Sequence, residues 1–319
     1  MSNITNPYNL NDVYRYTANN NWPFNCIATI SPAVSGSNTI NFFKSPLILS
    51  TNGTWTLVPT QTFYLKAKVW GAGGGQWQGT YSADPPVGGG GGGCVEGNIR
   101  FVANTTYTLI VGSNGALGSG WSSPPGPLGS GFWGSGGGAG SGIHDGVTHI
   151  MIAGGGGGST SNHPAGAGGG LLGQDGTASG GTQIYGGLKG LGSRSVNGSN
   201  GSGFFANTLG GFGGAGSGTT LIAALGGIGY GNGGTGAYAA GDVGGAGGGG
   251  GYTGGGGGPH TGGTVNTGGG GSGYAHPSKT SEVIYYTGNN TTPGNDSDPI
   301  RGNSGNPGQP GKIYLSLIL

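Results

Sequence analysis

The chain has 319 residues, of which 87 are glycine and only 6% are charged, with a formal net charge of +1. All the glycines except Gly36 and Gly53 lie in residues 71–319, while 32% of the chain is hydrophobic, so the composition argues against disorder, which favours charge over apolar residues. The ten lysines and arginines do not cluster, which argues against nucleic-acid binding.

In chain order, the first 70 residues have an ordinary composition that favours β-strands. Lys66 and Lys68 alternate with apolar neighbours, as in a half-buried strand. The last residues form an apolar strand expected to pack against a sheet. We therefore predict an N-terminal attachment arm with the first strands over 1–48, and a glycine-rich domain over 49–319 closed by a strand at 312–319. The predicted strands are 39–43, 54–58, 62–70, 95–102, 105–111 and 312–319.

The glycine runs need a structure that does not depend on side-chain packing, because glycine has no side chain to bury. Collagen requires glycine at every third position over a long stretch, whereas this chain keeps that spacing only over a few triplets at a time, as from Gly302 to Gly311. Silk alternates glycine with alanine or serine over long stretches, and this chain shows no such alternation.

The remaining arrangement is a bundle of extended polyglycine II helices, which have three residues per turn and bond laterally through their free N–H groups. Interior positions of such a bundle should reject even alanine. The glycines expected in this lattice are Gly88, Gly90, Gly92, Gly154, Gly156, Gly158, Gly247, Gly249, Gly251, Gly254, Gly256 and Gly258.

An ordered series of simple motifs runs through residues 50–319. The motifs are Trp70–Gly75, Tyr107–Gly112, Ile152–Gly158, Gly210–Gly214, Gly250–Gly255 and Gly311–Tyr314. The series resembles the glycine-rich domain of the anaplastic and leukocyte tyrosine kinase receptors and related modules of bacteriophage tail proteins. The specificity of this resemblance lies in the order of the motifs.

The resemblance implies an all-β framework, jelly-roll or sandwich-like, with an inserted bundle of polyglycine II helices, essentially no α-helix and no enzymatic activity. The receptor domains are disulfide-linked and tethered to a membrane. Here there are two cysteines, Cys26 and Cys94, and the sequence leaves open whether they form a bridge or two buried thiols. No run of about 18 apolar residues is present, so no membrane span is expected.

Catalytic and metal-binding patterns are weak. His144, Asp145 and His149 lie close in sequence, but a turn over Gly142–Gly146 followed by a strand explains them more simply. Lys312 follows Gly311 but precedes Ile313, so the phosphate-binding loop pattern is incomplete. We expect no catalytic site, no metal site and no cofactor.

Aromatic residues occur where the glycine lattice must turn, at Trp77, Tyr81, Trp121 and Trp133. Loop aromatics are common in contacts with saccharides and proteins. The alternative role, which we prefer, is to cover the open ends of the glycine helices against water.

These features predict a non-enzymatic structural protein on the surface of a virus particle: a fibre, a capsid decoration or a tail adhesin. Polar residues follow Met1, so no signal peptide is expected. Residues 1–48 would contact further copies of the chain or other virion proteins, and the loops a host glycan or receptor. The alternatives are an extracellular self-assembling filament or matrix protein, and a ligand-binding module of the receptor type.

Overall fold

The computed structural model describes residues 26–78, 88–115, 118–119, 134–160, 165–176, 180, 207–209, 215–216, 228–230, 237–238, 245–258 and 267–318. These ranges contain strands and no helix, so the all-β prediction is confirmed for them, and they include no helix that could cross a membrane. The strands are β1 (Ile27–Val34), β2 (Ser37–Asn41), β3 (Leu47–Leu49), β4 (Gly53–Pro59), β5 (Phe63–Trp70), β6 (Trp77–Gln78), β7 (Cys94–Phe101), β8 (Tyr107–Val111), β9 (Gly118–Ser119), β10 (Ser141–His144), β11 (His149–Ala153), β12 (Asn207–Leu209), β13 (Ala215–Gly216), β14 (Ile228–Tyr230), β15 (Ala237–Tyr238), β16 (Tyr274–Ala275), β17 (Thr280–Tyr286) and β18 (Lys312–Leu317).

A seven-stranded antiparallel sheet has the order β16-β11-β10-β8-β4-β1-β2. The β1–β2 hairpin closes through Ser35 and Gly36, which both have positive φ, as the tight turn of a twisted hairpin requires. The β10–β11 hairpin closes through Asp145, whose Oδ1 accepts hydrogen bonds from the amides of Val147 and Thr148. Such a side-chain cap is typical of Asp in turns.

A five-stranded antiparallel sheet has the order β17-β7-β5-β18-β3. In β18, Ile313 lies opposite Val69 of β5 on one side and Leu49 of β3 on the other. The predicted closing strand is therefore present, although it ends at Leu317. The boundary predicted after residue 48 falls inside β3.

Apolar side chains from both sheets form one core. In β5, the residues Phe63, Leu65, Ala67 and Val69 are buried, while the alternating lysines between them are partly exposed. Burying a side chain of leucine size stabilises a fold by about 1.5–3 kcal/mol. The period-two pattern seen in the sequence thus corresponds to the buried face of this strand.

The six predicted strands are all found, to within two residues at either end, as β2, β4, β5, β7, β8 and β18. Three shorter pairs also occur. Strands β6 and β9 pair in parallel, as do β13 and β15, and β12 pairs with β14 in antiparallel fashion.

Both cysteines are buried free thiols, which decides the alternative left open by the sequence. Burial raises the pKa of the Cys26 thiol to about 11, although a backbone hydrogen bond opposes this. Burial also raises the pKa of Cys94, and the charges of Glu96 and Asp298 add to the effect. Both thiols are therefore protonated at neutral pH.

Candidate functional site

Seven glycine-rich segments lie outside the strands and are hydrogen-bonded to one another through their backbones. Five of them continue a strand: segment I follows β5, segment IV follows β11, and segments II, III and VII lead into β7, β10 and β16. The strand ends therefore set where these segments start. The segments are I (71–75), II (88–93), III (134–140), IV (154–159), V (165–170), VI (245–251) and VII (267–273).

Segment IV donates backbone hydrogen bonds in three directions, and two of these directions recur three residues later toward the same neighbouring segment. In the third direction, Gly156 donates to segment I, whereas the amide of Ser159 donates to Oγ of Ser135 in segment III at 2.7 Å. The pairs are Gly154 to Gly169 (3.4 Å) and Gly157 to Gly166 (2.8 Å) in segment V, Gly155 to Gly250 (2.7 Å) and Gly158 to Gly247 (2.7 Å) in segment VI, and Gly156 to Ala72 (3.0 Å) in segment I.

The carbonyls of segment IV accept hydrogen bonds with the same period, from three further segments. Segment IV is therefore surrounded by all six other segments, and its buried backbone groups find the partners that they need. The donors are Gly93 and Gly90 of segment II to Gly154 and Gly157, Gly271 and Gly268 of segment VII to Gly155 and Gly158, and Gly138 and Ser135 of segment III to Gly156 and Ser159.

Segment I repeats the pattern near the edge of the array. Gly71 and Gly74 donate to segment II, at 3.0 and 2.9 Å. Ala72 and Gly75 donate to segment III, at 3.0 and 2.8 Å. The three-residue period is therefore not a property of segment IV alone.

The segments approach so closely that a side chain has no room at the central positions. A Cβ atom added to any of Gly154 to Gly158 would lie 1.9–2.3 Å from a backbone carbonyl oxygen of another segment. Real Cβ atoms essentially never come within 3.0 Å of such an atom, and backbone cannot move aside as a flexible side-chain end can. These five positions accordingly require glycine.

The twelve glycines predicted for the lattice all lie within or beside this array. Eleven are buried, and Gly88 is half-buried beneath Thr291. Gly254, Gly256 and Gly258 belong to the stretch 254–258, which bonds to segments VI and VII through Gly258 to Ala246 (2.8 Å) and Gly269 to Gly256 (3.0 Å).

Buried residues with side chains are also present in the segments. Ala72, Ala139 and Ala246 have no exposed surface, and neither has Ser135, whose Oγ donates to the carbonyl of Gly75 at 2.6 Å. The expected rejection of alanine therefore applies to individual positions, those whose Cβ would point at a neighbouring carbonyl, and not to whole segments.

The predicted loop aromatics are not brought together within the described residues. Trp77 lies in β6, where its backbone pairs with Gly118. Tyr81, Trp121 and Trp133 lie outside the described residues.

The His144–Asp145–His149 group lies on the β10–β11 hairpin. The expected turn is displaced, because Gly142 belongs to β10 and the turn follows at 145–148. The two imidazole rings lie 6.1 Å apart, and the carboxylate of Asp145 pairs with Lys279. In the ranges that the structure describes, no three metal-ligating side chains converge.

Sequence reasoning missed the loop over 288–311, here called the covering loop, which lies against segments I and II. Gly308 donates to the carbonyl of Gly74 at 2.8 Å, and Gly92 donates to that of Gly305 at 2.8 Å. Gly302, Gly305 and Gly308 have φ of +60°, +76° and +73°. This left-handed conformation suits glycine and makes turns, so the collagen-like spacing marks consecutive turns here.

Arg301 is the centre of the covering loop and is only 8% exposed. Its Nη1 donates to the carbonyl of Ser304 (2.9 Å) and to Oδ1 of Asn306 (2.8 Å), and its Nη2 donates to Oδ1 of Asp296 (2.7 Å). Lys312 Nζ donates to the carbonyls of Ile300 and Arg301, at 2.6 and 2.8 Å. Two buried cations thus fix the path of the loop through backbone oxygens.

A cleft of about 440 Å³ lies between the two limbs of the covering loop and Gln76. Its wall consists of polar side chains and two prolines. The lining residues are Gln76, Thr291, Thr292, Pro293, Asp296, Asn303, Asn306, Pro307 and Gln309.

A comparison of the chain with protein-family models finds no match, and a comparison with curated proteins finds none that is significantly similar.

Proposed function

We propose that segments I to VII are polyglycine II helices packed side by side. The observation that carries this proposal is the hydrogen bonding of segment IV to six neighbours with a period of three residues. A helix with three residues per turn and no internal hydrogen bonds points residues i and i+3 in the same direction. Its N–H and C=O groups are then all available to neighbours, which gives a central helix six partners.

The proposed architecture is a sandwich or jelly roll of the two sheets that supports this bundle at its strand ends. The evidence for a sandwich is the core that the two sheets share. The evidence for an inserted bundle is that strands lead directly into the glycine segments. This is the architecture that the resemblance to glycine-rich receptor domains and phage tail modules implies.

The proposed function is that of a non-enzymatic structural protein on the surface of a virus particle, as a fibre, capsid decoration or tail adhesin. A bundle held by backbone hydrogen bonds between its segments leaves few backbone groups unpaired and is stiff. These properties suit a protein that is exposed to solvent and to proteases. Residues 1–48 would attach the chain to further copies or to other virion proteins. Exposed loops would contact a host glycan or receptor.

The particle assignment is tested by immunogold labelling of intact, gradient-purified particles from the source culture. We expect gold on the outer surface with antibody against the full chain, and none with pre-immune serum. Purified particles that lack the protein by both labelling and mass spectrometry would refute the assignment. If the isolated chain formed long polymers as its concentration was raised, the filament alternative would be favoured.

Hydrogen exchange tests the helix bundle independently of the particle. The amides of residues 154–158 should be as strongly protected as those of the core strand β5, since each is bonded and buried. The exposed amide of Gly302 is the internal reference for fast exchange. Fast exchange throughout segment IV, with β5 protected, would contradict the bundle.

A further inference from the structure

The covering loop contains a second three-residue repeat, in which each glycine is followed by an amide residue. The pairs are Gly302-Asn303, Gly305-Asn306 and Gly308-Gln309. The amide of Asn306 donates to the carbonyl of Asn303 at 3.1 Å, and that of Gln309 donates to the carbonyl of Asn306 at 2.8 Å. Successive turns therefore bring three amide side chains to the same cleft.

The size of the cleft suits a small ligand. Sites for small molecules typically measure about 300–1,000 Å³, and this one has about 440 Å³. Gln76, which follows segment I, adds a fourth amide to the lining, and its Nε2 donates to the carbonyl of Pro307 at 3.4 Å. Pro293 and Pro307 add apolar surface to the lining.

The charge of the cleft selects the class of ligand. Asp296 is the charged residue among those lining it, and its carboxylate is already paired with Arg301. An anion would find no cation in the lining, and a cation would compete with Arg301 for one carboxylate. Carboxamides carry both donors and acceptors, as hydroxyl groups do.

The backbone that carries these amides, and the side chain of Asn306, are held in place before any ligand arrives. Oδ1 of Asn306 accepts from the buried guanidinium of Arg301, so that its Nδ2 is left to donate elsewhere. The turn beneath Asn306 and Gln309 is bonded to segment I through Gly308 and through Gln309, whose carbonyl accepts from Gly73 at 2.9 Å. Such preorganisation lowers the ordering cost of binding.

We infer that this cleft binds an uncharged, polyhydroxylated ligand, a neutral saccharide, through the side chains of Asn303, Asn306 and Gln309. The inference rests on the proposed function, since it names the ligand class and the site of the proposed host contact. Each sugar hydroxyl pairs with a carboxamide as donor, acceptor or both. The prolines pack against the apolar edges of the sugar ring.

The test uses the full chain on a printed array of neutral glycans, with sialylated and sulfated glycans on the same array, followed by calorimetry on the strongest neutral oligosaccharide. The variant Asn303→Ala/Gln309→Ala removes two amides that make no side-chain bond within the described structure. Asn38→Ala, at an exposed asparagine in β2, is the matched control. Unfolding midpoints of both variants verify that the fold is kept.

We expect binding of neutral glycans that weakens about tenfold or more in the double variant and is unchanged in Asn38→Ala. Binding of charged glycans only, binding unaffected by the double variant, or no neutral glycan bound would each overturn the inference. These outcomes are independent of particle labelling, which needs no ligand, so failure of the saccharide site and failure of the virion assignment are distinguished.

Discussion

Gly156 and Gly90 lie so close together that a Cβ atom on Gly156 would come within 1.9 Å of the carbonyl oxygen of Gly90. The same oxygen accepts the amide of Gly74 at 2.9 Å, so it cannot move without breaking a bond. Contacts of this kind make the glycine array intolerant of even one methyl group at its centre.

Gly156→Ala should therefore lower the free energy of unfolding by about 3 kcal/mol or more, because backbone segments must separate to admit the methyl group. Gly146→Ala is the matched control. Gly146 has φ of +87° with no atom within 4 Å of the place that a Cβ would occupy, so only conformational strain of about 1–2 kcal/mol applies there. Denaturant unfolding of both variants measures the difference, and equal losses would show that close packing is not the cause.

Arg301→Ala should destabilise the chain by about 2–4 kcal/mol, since it leaves the carbonyl of Ser304 and Oδ1 of Asn306 without their donor. Arg301→Lys keeps the charge but loses the planar fork, and should recover only part of this. Thermal unfolding of the two variants checks the order. If the lysine variant were as stable as the natural chain, charge alone would account for the role of Arg301.

Stability should fall as the pH drops below about 6.5. Burial lowers the pKa of His144 below its ordinary value of 6.5, against the pull of Asp145. Burial likewise lowers the pKa of His149, and the charge of His144 lowers it further. The unfolded chain then binds protons more readily than the folded chain, so stability is lost from pH 6.5 downward until the folded pKa values are passed.

The variant His144→Gln/His149→Gln should show a flatter dependence of unfolding free energy on pH in that window. Denaturant unfolding at pH 7.5, 6.5, 5.5 and 4.5 measures the slope in both proteins. A slope that persists unchanged in the double variant would place its origin elsewhere.

Neither thiol should react with a disulfide reagent in the folded protein, because Cys26 and Cys94 are buried and their pKa values are raised. Both should react at once in strong denaturant without a reductant, since neither is bridged. Recovery of fewer than two thiols per chain after unfolding would contradict this, and a reductant should leave the melting temperature unchanged.

The strands were predictable because alternation leaves a local trace. In β5, Lys66 and Lys68 between apolar residues indicate which face is buried, and the structure buries that face. The hydrogen-bond partners of residues within the glycine array leave no such pattern in the sequence. A run such as 88–93 looks the same after a shift by one residue, so its register is decided by where β7 begins.

The candidate site in the covering loop was missed for a different reason. The spacing of Gly302, Gly305 and Gly308 is compatible with an extended helix or with turns, and only the sign of φ separates the two. The role of Arg301 was not recognised in the sequence because most of its hydrogen-bond partners are backbone or amide oxygens. Such uncharged partners cannot be identified from the distribution of charged residues along the chain.

The period of three in segment IV gives the array a reading frame. In the proposed polyglycine II helix, insertion of a single glycine would turn every later residue by a third of a revolution, so that each amide would face a different neighbour. Insertion of three would advance such a helix by one whole turn, about 9 Å, and return every donor to its former direction. Length changes in multiples of three are thus the ones in which such an array can grow or shrink while its bonding pattern is kept.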